Sequence, residues 1–110
     1  MTLSKPRWNP DENMKIDDYI IDTLLRDLVG HDRRPTAFLV YLWLAADHSR
    51  TRKPVQISYQ DLAENLGISK SAAQSAVTWL LRRKLLSASR HTTTATPIYT
   101  VQKTWKSSFR

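Results

Sequence analysis

Apolar residues recur along this chain at two different periods, and the changes between them mark out its elements. From Asn13 onward, Ile16, Tyr19/Ile20, Leu24 and Leu28 return at three- and four-residue steps, with Ile21, Leu25 and Val29 widening the stripe. That spacing predicts an amphipathic helix over residues 14–29. Asp17 and Asp18 stand in its first turn, where carboxylates favour the positive helix end, and Gly30 is placed to end it as a C′ residue. Residues 31–34 then read as a loop. Pro35 suits a first helical position, and residues 36–48 form the second helix. Its run 37–46 is apolar on every side, so this helix is expected to be the buried central post of the core.

Residues 49–54 form a basic loop, and Val55-Gln56-Ile57 alternates in the manner of one short strand. Ser58 opens a helix: its hydroxyl can accept an early backbone N–H, and Asp61 favours the same end. Leu62, Ala63 and Leu66 give that helix its apolar stripe, and Gly67 ends it, because glycine reaches positive φ without strain. Ser69 caps the next helix, which runs to about Arg83. At roughly 100° per residue, Ala73, Ala76, Val77 and Leu80 share one face, while Ser71, Gln74, Ser75, Thr78 and Arg82 share the opposite one with Lys70 beside them. The outward face is short-chained, hydrogen-bonding and free of carboxylates, the chemistry a helix needs against base edges and phosphates. Residues 85–90 and 98–102 form two strands, with Pro97 where a missing N–H is tolerated. Trp79, on the flank of the long helix, is expected to pack against this hairpin, and Trp8 and Trp105 to anchor the termini.

Charge sharpens the division. The chain of 110 residues, one domain's worth, has 17 Lys+Arg against 10 Asp+Glu. Residues 1–49 hold six of the cations and eight of the acids; residues 50–110 hold eleven cations and only Asp61 and Glu64 as acids. Such a split suggests that one half scaffolds while the other meets a polyanion, although charge alone does not separate DNA, RNA and membrane surfaces. The absence of cysteine excludes disulfides, thiolate zinc sites and thiol nucleophiles. No run approaches the length of a membrane-spanning helix, and residues 1–8 carry no apolar signal segment, so the expected location is cytoplasmic and nucleoid-associated. His31, His48 and His91 are far apart with no metal-ligand spacing, and Gly30 and Gly67 are too few for a phosphate-binding loop. No enzyme, cofactor, metal or small-molecule ligand is expected.

Order and spacing combine in Ile57-Ser58-Tyr59-Gln60-Asp61-Leu62-Ala63-Glu64-Asn65-Leu66-Gly67-Ile68-Ser69-Lys70-Ser71, followed by Ala76-Val77-Thr78-Trp79-Leu80. This stretch resembles the winged helix-turn-helix domains of bacterial and phage DNA-binding regulators and replication initiators. The match covers roughly residues 36–101. It implies a mainly α fold with a small β-hairpin: a three-helix core plus wing, with an extra N-terminal helix. Residues 1–34 would be an arm and accessory helix, 35–102 the winged domain and 103–110 a basic tail. Two positions depart from the family pattern. Ala73 stands where Val or Ile is usual, and Lys84 where Gly is usual, at a cost of about 1 kcal/mol if Lys84 is left-handed.

The resemblance implies that the partner is double-stranded DNA and that the 69–83 helix enters the major groove. Ser69, Lys70, Ser71, Gln74 and Ser75 would lie nearest the bases, with Gln74 able to pair with adenine. Helix starts at Ser58, Tyr59 and Ser69 would meet phosphates; Thr78 and Arg82 would follow the backbone, and Arg90, His91 and Thr93 would set the wing on DNA. Transcriptional regulation is the expected role. A replication-initiator module, or a protein- or RNA-interaction module, are the alternatives. The N-terminal helix offers apolar surface for a homodimer.

Overall fold

The structure, a computed structural model, describes residues 14–92 and 94–103. Two of its helices follow their capping residues closely. Helix α1 spans Pro35–Thr51, α2 Tyr59–Leu66 and α3 Lys70–Arg82; strands β1 (Val55–Gln56), β2 (Leu86–Ser89) and β3 (Ile98–Val101) form one antiparallel sheet in the order β1-β3-β2. The Ser58 hydroxyl accepts the Asp61 N–H at 3.1 Å to start α2, and the Ser69 hydroxyl accepts the Ala72 N–H at 3.0 Å to start α3. Gly67 sits between them at φ 72, its N–H bonded to the Ala63 carbonyl at 2.8 Å. Any side chain there would be strained in the left-handed region.

The core is shared by all these elements. Val40, Tyr41 and Leu44 of α1, Leu62 of α2, and Ala73, Val77 and Leu80 of α3 are fully buried, with Val55 and Tyr99 contributed by the sheet. The Tyr41 hydroxyl donates to the Gln102 carbonyl at 3.1 Å, tying α1 to the end of β3. On β3, Tyr99 and Val101 point inward, while β2 buries only Leu86. The three residues after Leu86 are exposed, so β2 forms a solvent-facing edge of the sheet while β3 is held in the core. Helix α1 is central, as its composition predicts, but not buried all round. Leu39 is 47% exposed, and Leu42 and Trp43 are half-buried. Its end also lies beyond His48: Arg52 adopts φ 62 and donates its N–H to the His48 carbonyl, closing the last turn.

The N-terminal helix differs from its sequence reading at both ends. Residues 14–17 are not helical. Two wide-turned segments follow, Ile20–Leu24 and Arg26–His31, in which Leu25 N–H reaches back to Ile20 O and Asp32 N–H to Asp27 O, five residues rather than four. Ile20, Leu24 and Leu28, spaced by fours, are the residues this segment buries, and wide turns of this kind are seldom sustained in helices. Gly30 is therefore not the C′ residue. It lies inside the second segment, and the chain leaves the helix at Asp32, with Arg33 left-handed at φ 57.

Two further expectations meet the structure. Lys84 is left-handed at φ 62, in the turn between α3 and β2. Trp79 is half-buried against the core, and its polar edge is engaged by the N-terminal segment. Its indole Nε1–H donates to Asp32 Oδ2 at 3.0 Å, so it is the N-terminal helix that docks there. Trp8, Trp105 and Thr93 lie outside the described residues. Among the described residues no helix is long and apolar enough to cross a membrane.

Candidate nucleic-acid interface

Helix α3 is held by its apolar face, and this orients everything on the other side. With Ala73, Ala76, Val77 and Leu80 buried, the side chains of Ser71, Gln74, Ser75, Thr78 and Arg82 are all exposed, as are Ser69 and Lys70 at its start. The face predicted from periodicity thus projects outward intact. It carries no acid in its first turn, and after Glu64 the sequence contains none at all. Each hydroxyl has a distinct local role. Ser69 Oγ caps the helix and lies 3.3 Å from Ser71 Oγ. Thr78 Oγ1 donates to the Gln74 carbonyl at 2.9 Å, which leaves its methyl group and oxygen lone pairs to face outward. Among the described residues the Gln74 side-chain amide meets no partner within the protein, so its donor and acceptor are both available.

Two clefts flank this face. One lies between the starts of α2 and α3 and the hairpin loop, has a volume of about 310 Å³ and is lined by Ser58, Tyr59, Lys70, Arg90 and Thr96 among others. Four of the expected site residues from three separate elements meet there. Ser58 is half-buried, with its hydroxyl already accepting a bond as a cap. Tyr59 packs on the core, and burial, with the Tyr59 phenol beside it, pushes the Tyr99 hydroxyl above its usual range. Arg90 leans back over the loop, its guanidinium 3.5 Å from the Ala95 carbonyl, a marginal bond that a better acceptor can displace. His91 is exposed at the hairpin turn. Ala95 N–H bonds to the Thr92 carbonyl at 3.2 Å and closes that turn.

The second cleft, of equal volume, is lined by Arg34, Ser71, Gln74, Thr78, Trp79 and Arg82, with Ser75. Sequence reasoning missed Arg34 altogether, having placed it in a connecting loop. Its guanidinium carbon sits 4.3 Å from the Trp79 ring centroid, and that of Arg82 sits 5.7 Å away, both within cation–π range. Behind the ring, Asp32 accepts from Trp79 Nε1, from Arg83 Nε at 3.0 Å and from His31 Nδ1 at 3.1 Å. Burial raises the Asp32 pKa, but the bonds from His31 and Trp79 and the Arg83 charge outweigh it and hold the carboxyl below its usual range. Arg82 and Arg83 are both exposed, but Arg83 is engaged by Asp32 within the protein. The only sequence signal for Arg34 was its place beside Arg33, immediately before Pro35.

Among the described residues no group of three or more His, Asp or Glu side chains is arranged to hold a metal ion. No family model, curated protein or solved structure matches this chain.

Proposed function

We propose that this chain is a winged helix-turn-helix domain that binds double-stranded DNA with sequence preference and acts as a transcriptional regulator. In this reading α2 and α3 are the helix-turn-helix, α3 enters the major groove and the β2–β3 hairpin is the wing. A groove about 12 Å wide admits one helix. The observation that carries the proposal is the outward face of α3: exposed Ser71, Gln74, Ser75 and Thr78, bordered by Lys70 and Arg82 and without a carboxylate. Hydroxyls and an amide can exchange water for base edges at little cost, and the cations at either end suit phosphates. The β1-β3-β2 sheet order and the exposed edge strand β2 support the wing assignment. Gln74, with both amide groups available, is the residue assigned to read a base.

A two-fold dimer belongs to the same proposal. Ile21, Leu25 and Val29 form an exposed apolar line on the N-terminal helix, with Asp22 and Arg26 also exposed beside it. Antiparallel pairing of two such helices would join the lines and set Asp22 of each copy against Arg26 of the other. Leu25→Glu is expected to shift sedimentation to the monomer and to remove the dependence of the unfolding midpoint on protein concentration.

The test of the function is selection of bound duplexes from a random pool, followed by binding at several salt concentrations. Enrichment of one motif is expected, with a log–log salt slope of about −0.9 per neutralised phosphate. A palindromic motif fits the dimeric regulator; tandem repeats would move the role to replication initiation. No enrichment, or tighter binding to duplex RNA, would refute the proposal.

A further inference from the structure

The second cleft extends the proposed function, on which the following inference rests. Lys70 and Trp79 are nine residues apart on α3, which places them roughly half a turn apart around its axis. They therefore stand on opposite edges of the outward face. Lys70 opens the cleft shared with Arg90 and the hairpin; Trp79 opens the cleft shared with Arg34. A helix lying in a major groove has a phosphate strand along each of its two edges. The hairpin side supplies cations for one of these strands.

We propose that Arg34 and Arg82, carried on the Trp79 indole, form a second phosphate clamp that grips the DNA strand on the far side of α3 from the wing. Three features make the cluster suited to a phosphodiester rather than to internal packing. Arg34 and Arg82 are both exposed, and among the described residues neither has an ion-pair partner. The carboxylate bonded to the Trp79 indole, Asp32, is already occupied by Trp79, Arg83 and His31. The indole lies beneath both guanidinium carbons, at 4.3 Å for Arg34 and 5.7 Å for Arg82, and a cation–π contact does not consume the N–H donors, so they remain available to pair with phosphate oxygens.

The clamp also gives the N-terminal helix a part in binding. Asp32 ends that helix, and its bond to Trp79 Nε1 fixes the ring that carries both arginines. Arg34 and Arg82 are the phosphate ligands in this scheme, and Trp79 and Asp32 are positioning residues.

The test uses the full chain and the duplex recovered by selection, with one neutral methylphosphonate placed at each backbone position in turn. For the unaltered chain, neutral positions should weaken binding at two separate clusters, one on each strand. Arg34→Ala should weaken binding to the all-phosphate duplex about 5–10-fold, evenly across sequences, and reduce the salt slope by about 1. Alone it should reduce sensitivity at the cluster distant from the wing, and combined with Arg82→Ala it should abolish sensitivity there, with sensitivity kept at the other cluster in both cases. Arg34→Lys should recover only part of the loss, since an ammonium keeps the charge but not the planar stack. The methylphosphonate profile separates a ligand from a merely structural arginine, because a folding defect would lower every affinity without erasing one cluster. Identical profiles for Arg34→Ala and the unaltered chain would overturn the clamp while leaving DNA binding intact; failure of the unaltered chain to bind any duplex would instead remove the function on which the clamp depends.

Discussion

Two exposed helix faces of this chain invite opposite kinds of neighbour. α3 turns out Ser71, Gln74, Ser75 and Thr78; the N-terminal helix turns out Ile21, Leu25 and Val29, the first of them 49% exposed. Water satisfies the α3 face fully, so nothing in the folding energetics marks it as a site. Its distinguishing property is the missing acid. The N-terminal face is the reverse, since water penalises its area at about 25 cal/mol per Å² and covering it is favourable in itself. A polar interface is therefore recognised by which charges are absent, an apolar one by what is left uncovered. The two faces are joined through Asp32, which ends one helix and holds the tryptophan on the flank of the other.

The strongest way to separate the two regions is beneath the apolar face. Leu28 is fully buried, so Leu28→Ala should cost about 2–5 kcal/mol in urea unfolding. Hydrogen exchange should show the N-terminal helix opening first while α2 and α3 stay protected; uniform loss of protection would mean that the regions fold as one unit.

Asp32→Asn acts on the joint itself. It removes a buried carboxylate with three donors, a loss of about 1.5–3 kcal/mol for charge-assisted bonds. The sign of its pH dependence follows from a folded-state pKa held below the unfolded one. The stabilisation is complete above about pH 4, the ordinary carboxylate value, and is lost as the pH falls through the folded-state pKa. Urea midpoints of the variant and the unaltered chain should thus differ at neutral pH and converge in acid. A constant gap across that range would show that the Asp32 charge is not the source of stability.

On the α3 face, Gln74→Ala should relax preference by about 1–3 kcal/mol at a single base pair, read from a library randomised at each position of the selected site. Unchanged preference would take Gln74 out of base reading. The smallest expected effect lies between the helix and the hairpin. Lys84 is left-handed at φ 62, and Lys84→Gly should raise stability by about 0.5–1 kcal/mol, the relief of strain exceeding the added chain entropy. A lower melting temperature would mean that the lysine side chain contributes more than its backbone costs.

How far each region could be read from sequence follows the range of the forces that shape it. The α2–α3 unit was legible because its signals are local: Ser58, Gly67 and Ser69 each act within four residues of their own position. The outward face of α3 followed from periodicity for the same reason. The N-terminal helix resisted because its four-residue apolar repeat reads as an ordinary helix, whereas its turns are wider and Gly30 lies inside the second segment. Arg34 and Trp79 are brought together by tertiary folding alone. No spacing rule could have paired them, and so the second cleft stayed invisible until the helices were assembled.

The central claim, that the acid-free face of α3 is the surface that meets DNA, is tested most directly by following backbone amide shifts in two-dimensional NMR as the selected duplex is added. The expected result is a set of large shifts at Ser71, Gln74, Ser75 and Thr78, with a second set around Lys70 and Arg90, and little change at Ile21, Leu25 and Val29. Shifts concentrated on the N-terminal helix, with the α3 face unmoved, would contradict it.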